Sequence, residues 1–189
     1  MFPNTFGHGC TPRRCIAINF VGTDQWVDLT APQGAERDVV RITAADLRAA
    51  QRTTASIHAD ALKNSTDVAV FVDLDAMVAD DARTALNQMN RHDALTGGPT
   101  HPDSLRYIGT PDGLAGLIDD IFRTRVADGV TVRPLSLATL DEFVDTTLPA
   151  LARFGVTVGA ARRTLLQACR RHYCDALPRR DDIPAAHSA

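Results

Sequence analysis

The sequence has almost no lysine: Lys63 stands alone, and the rest of the basic charge is arginine. With its many alanines, this reads as compositional bias and carries no binding signal. No excess of either charge sign is present, the formal net charge being -3 over 189 residues, so there is no electrostatic case for nucleic acid or anionic membrane as a partner. No apolar run approaches the roughly 20 residues needed to span a bilayer. Residues 1–14 lack the basic-then-apolar order of a signal peptide, and a cytoplasmic protein is the expectation. Cysteine is sparse. Cys10/Cys15 and Cys169/Cys174 form two pairs spaced five apart, with His8 and His172 close by. That spacing turns the second thiol away on a helix and is wider than usual for zinc ligand pairs, so no metal site is expected. No Ser/His/Asp or Cys/His arrangement has nucleophile spacing, and no phosphate-cradling P-loop is present.

What is there fits one α/β domain with a sizeable core. Residues 1–14 read as an irregular lead-in, 15–155 as the folded β/α domain, and 156–189 as a C-terminal helix with a flexible tail. Strands are predicted at 15–20, 38–42 and 67–78, the last apolar on both faces at first, as in a covered parallel strand. A short helical segment near 26–29 separates the first two. Helices are predicted from a Thr43 cap with Asp46 as its capping-box partner, and over 79–91 with Ala82, Leu86 and Met89 inward. Another starts at Thr139 with Glu142, is kinked by Pro149, and is followed by one at 160–173.

The most informative stretch is 105–135, LRYIGTPDGLAGLIDDIFRTRVADGVTVRPL. It reads as loop, helix, turn and strand. Thr110 is a good N-cap, Pro111 loses only an amide that would be unpaired there, and Leu114, Leu117, Ile118, Ile121 and Phe122 form one helical face. Val130, Val132 and Leu135 then fit a strand closed by Pro134. The order G-T-P, amphipathic helix, D-G-V-x-V-x-P, continued by LDEFVDTTLPALARFG at 140–155, resembles the end of the barrel in luciferase-like flavin-dependent monooxygenases. Within that family it is most similar to the nitrilotriacetate monooxygenase branch.

The resemblance implies a parallel β/α half-barrel of about four βα units, matching the C-terminal half of the family's barrel. It also implies a flavin mononucleotide (FMN) or deazaflavin cofactor, a small-molecule substrate and an oxidoreductase activity. In relatives, hydroxyls and backbone amides after a strand hold the flavin phosphate, and Asn19, Gly22 and Thr23 occupy that place here. A barrel has eight strands, and an open half of one exposes two unpaired edges. Self-association or a partner supplying the missing half is therefore expected. A non-catalytic subunit or remnant, or an unrelated small open-sheet α/β protein, are the alternatives from other classes. Strand ends offer further candidates. Asp73 and Asp75 point the same way and could hold a metal, share a proton, or simply be solvated or cap a helix. Arg133 could face an anion or pair with Asp128 or Asp141. His92 and His101 flank a glycine loop as solvated side chains.

Overall fold

The computed structural model describes residues 14–20, 25–30, 38–98 and 103–176, with side chains to 168 and at 170. Six strands form one sheet: β1 (Cys15–Asn19), β2 (Trp26–Asp28), β3 (Asp38–Ile42), β4 (Val68–Val78), β5 (Leu105–Gly109) and β6 (Gly129–Pro134). The helices are α1 (Leu47–Lys63), α2 (Ala82–Thr96), α3 (Pro111–Arg123), α4 (Leu137–Glu142), α5 (Leu148–Ala152) and α6 (Ala160–Ala176). The protein is an α/β fold.

The strand β4 is the axis of the sheet, which runs β2-β1-β6-β4-β3 with β5 also on β4. β6 pairs with β4 over 71–76, β3 over 68–72 and β5 over 74–78, all parallel. The β3 and β5 ranges do not overlap, so those two short strands follow one another along the edge opposite β6. β1 is parallel to β6 on the far side, and β2 folds back antiparallel on β1.

Three expectations are corrected here. Four consecutive βα units would set strands side by side in sequence order, whereas β6 lies between β1 and β4. Residues 26–28 are a strand and not a helical segment, because the short return after β1 brings Trp26 into register with Asn19. Leu105–Gly109 is a strand and not a loop: its five residues pair with 74–78, a partner that lies 31 residues earlier in the chain.

Strand alternation separates two faces. One carries Ile16, Ile18, Val70, Val72, Leu74, Val130 and Val132, all fully buried. They join Leu114, Ile118 and Ile121 of α3 with Leu140, Phe143 and Leu151 in the main core. Each such side chain contributes about 1.5–3 kcal/mol of burial. The opposite face carries Cys15, Ala17, Ala69 and Phe71, with Trp26 packed edge-on to Phe71 at 5.4 Å between ring centres. Gly129 starts β6 here because a Cβ on it would lie 2.5 Å from the Phe71 ring. Asp128 before it is no loose turn residue. Its carboxylate accepts the Val70 amide, its own amide donates to the Val70 carbonyl, and its carbonyl accepts the Cys15 amide. One residue thus ties β1, β4 and β6 together at their starts.

Helix starts follow local chemistry with shifted positions. Thr110 caps α3 as expected, accepting the Gly113 amide. α1 is capped by Asp46 and not Thr43, α2 begins after Asp81, and α4 is capped by Ser136 and not Thr139. Thr139 is used otherwise: its hydroxyl accepts the Val78 amide at 3.0 Å and joins the helix to the end of β4. Of the three residues expected inward on α2, only Met89 is buried; Ala82 and Leu86 are exposed, and Ala85 takes the inner place. Pro149 has no amide to donate, and the turn before it, Phe143–Thr147, is π-helical, the Leu148 amide bonding back to the Phe143 carbonyl.

Candidate functional site

The second face of the sheet becomes charged toward the strands' carboxyl ends. Cross-strand register puts Asp73 beside Thr131 and Asp75 beside Arg133, all four side chains on that face. Arg41 reaches the same place from β3, where it lies in register with Phe71. Asp75 and Thr131 are completely buried, and Asp73 and Arg133 nearly so.

Isolated charges at such depth would cost several kcal/mol each, so their partners matter. Arg41 grips Asp73 with Nε and Nη2 on Oδ1 at 3.2 and 3.1 Å, and Nη2 on Oδ2 at 3.0 Å. Arg133 places Nη1 at 3.2 Å from Asp73 Oδ2 and Nε at 2.8 Å from Asp75 Oδ1. Ser104, just before β5, donates its hydroxyl to Asp75 Oδ2 at 2.8 Å. Beside this group, the Trp26 indole donates to the Thr131 hydroxyl at 3.1 Å. Two carboxylates thus meet two guanidinium groups, and the cluster is electrically neutral. Asp73 accepts from both arginines, the Arg133–Asp75 contact is an ion pair without hydrogen-bond geometry, and Arg133 Nε and Nη2 are buried donors with no hydrogen-bond partner.

The expectations for single residues sort accordingly. Asp73 and Asp75 do share a face, but they neither lie in solvent nor cap a helix; Asp81 is the cap of α2. A metal or a shared proton at the pair would compete with guanidinium groups already in contact. Arg133 pairs with these two acids and not with Asp128 or Asp141: Asp128 holds His58, and Asp141 holds Arg170. Asn19 ends β1 and spends its side-chain amide on the Gln25 carbonyl at 3.0 Å. Gly22, Thr23 and Asp24 lie outside the described residues, as do His101 and the cysteines at 10, 169 and 174 as side chains. His92 is half-buried on α2, and its carbonyl accepts the Thr96 hydroxyl. Cys15 is buried in β1, and among the described residues no group of three or more His, Cys, Asp or Glu could hold a metal ion. Sequence reasoning missed Arg41 and Ser104. A charge inside the run DVVRI was the available sign that one face of β3 is polar.

No family model matches the chain, and no curated protein matches it. Solved structures are similar in fold, two monooxygenases among them. One is a long-chain alkane monooxygenase (LadA), with TM-score 0.52 and 16% identity, covering 68% of this chain and 41% of that one. The other is an EDTA monooxygenase (EmoA) from Chelativorans sp. BNC1, with TM-score 0.50 and 16% identity, covering 69% and 46%. The chain spans less than half the length of either. Among the described residues no helix is long and apolar enough to cross a membrane.

Proposed function

We propose that this chain is part of a luciferase-like flavin-dependent monooxygenase or related oxidoreductase, of the nitrilotriacetate monooxygenase-like branch. The supporting observation is that two monooxygenases share its fold while the G-T-P…D-G-V-x-V-x-P segment forms the strand–helix–strand unit β5-α3-β6. FMN or a deazaflavin is the proposed cofactor. Asn19 at the end of β1, with Gly22 and Thr23 following in sequence, would take its phosphate, as glycine permits close backbone approach and amides with a hydroxyl suit a dianion. One further feature bears on a polar ligand: Arg133 Nη2 is buried near the strand ends with no hydrogen-bond partner, a donor still to be satisfied. Arg133 itself is held in place by two acids, so its donor is preorganised. When bound, a flavin would supply oxygen activation, or a deazaflavin hydride transfer, and the protein would position and shield it. The substrate is proposed to be a small molecule, the location cytoplasmic, and the rest of the site to come from a second copy or a separate partner. The test is flavin binding by the chain and its Thr23→Val variant. Loss of binding with the fold intact supports the phosphate site, and unchanged binding removes it.

A non-catalytic subunit acting through an interface is the second reading. It is favoured by the neutral cluster, whose carboxylates are already taken up by arginines. Turnover by the chain together with a partner would decide for the enzyme; binding without turnover would decide for the subunit.

A further inference from the structure

At the other end of the sheet, where the strands begin, a groove of about 930 Å³ opens between α1 and the corner joining α3 to β6. That is the size of a small-molecule site. The groove exists because α1 is only partly used for packing. Of its 17 residues just Ala50 and Thr54 are buried, and Leu62 is 81% exposed at the groove's edge.

Four features distinguish the groove from an idle surface. Thr54 lines it and is 4% exposed, yet its hydroxyl has no hydrogen-bond partner, which is costly for a buried polar atom. His58 lines it one turn further on, with Nε2 2.7 Å from Asp128 Oδ2. That carboxylate also accepts the Val70 amide, so its charge is committed to the wall. Asp67, the other acid at the groove, has an interaction of its own within the chain. Arg52 and Arg125 line the groove too, and among the described residues neither makes an ion pair or a side-chain hydrogen bond. Arg125 is also fixed at its backbone. It adopts φ 54° just past the end of α3, with its amide on the Phe122 carbonyl at 3.2 Å and the next amide on the Ile121 carbonyl at 2.9 Å.

We propose that this groove binds a small organic anion with an apolar body, of the medium-chain carboxylate class. Arg52 and Arg125 take the carboxylate, and the apolar body lies over Leu62, Val68 and Phe122. The site is separate from the charged cluster and from the proposed flavin end.

Calorimetric titration of the full chain with octanoate, and with octanol as the neutral probe, tests this. The expected result is saturable binding of octanoate at one site and weaker binding of octanol. Arg52→Gln/Arg125→Gln should weaken octanoate by about tenfold or more with an unchanged melting temperature. Both side chains are exposed, so the double variant is expected to keep the fold, and its melting temperature checks this. The proposal is overturned if octanoate fails to saturate by millimolar concentration, if octanol binds equally well, or if the double variant binds like the parent. Competition between FMN and octanoate would also overturn it, by placing both ligands at one site.

Discussion

Arg133 of β6 bridges the two acids of β4, with Nη1 3.2 Å from Asp73 and Nε 2.8 Å from Asp75. The bridge crosses the longest strand pairing in the sheet, and together with Arg41 it leaves no net formal charge in the cluster. Removing the arginine takes a guanidinium from both buried carboxylates, leaving Arg41 on Asp73 and the Ser104 hydroxyl on Asp75, so Arg133→Met should cost about 3–5 kcal/mol in urea unfolding. The same change combined with Asp75→Asn should cost clearly less, because one uncompensated charge goes with it. Equal losses in the single and double variants would show that Arg133 acts only through packing.

The cluster also shows what sequence makes legible. The two-residue spacing of Asp73 and Asp75 was enough to set both on one face, since strand alternation is local. Their partners were not legible, because Arg41 and Arg133 are placed by strand register across 32 and 60 residues of chain. The amphipathic stripe of α3 is written in its own residues and was read correctly, including the Thr110 cap. β5 was not, because five residues become a strand only where β4 outruns β3 and offers an edge. The caps at Asp46 and Ser136 were each missed by three residues. Several hydroxyl or carboxylate residues near a helix start can cap it, and the tertiary fold selects among them. Thr139 was claimed instead by the Val78 amide.

Gly113 lies in the first turn of α3 against Tyr107, whose hydroxyl donates to the Thr110 carbonyl at 2.9 Å. A Cβ at Gly113 would stand 2.1 Å from that hydroxyl oxygen. Gly113→Ala should therefore destabilise by about 1–3 kcal/mol despite alanine's better helix propensity. In a Tyr107→Phe background the penalty should shrink by at least half. A double-mutant cycle by chemical denaturation reads this directly, and additive effects would refute the contact.

Tyr107 makes an alkaline prediction too. Partial burial raises its pKa above the ordinary 10.0, although the Thr110 contact works the other way. A group whose folded pKa is raised gives stability that is complete below the unfolded value and lost as pH rises through the folded one. Stability should thus decline above about pH 10, and Tyr107→Phe should flatten that part of the profile.

Ser65, like Arg125, ends a helix in the left-handed region, with φ 54° and its amide bonded to the Leu62 carbonyl. Glycine is the residue that takes this position without a Cβ penalty. Ser65→Gly should raise stability by about 0.5–1 kcal/mol, seen as a higher melting temperature; a lower one would mean the serine hydroxyl matters more than the backbone.

The functional account rests on flavin binding, and titrating oxidised FMN fluorescence with the purified chain tests it most directly. The account predicts saturable quenching in the micromolar range, about -8 kcal/mol, and its loss in Thr23→Val. Absence of quenching up to about millimolar, weaker than roughly -4 kcal/mol, would contradict it.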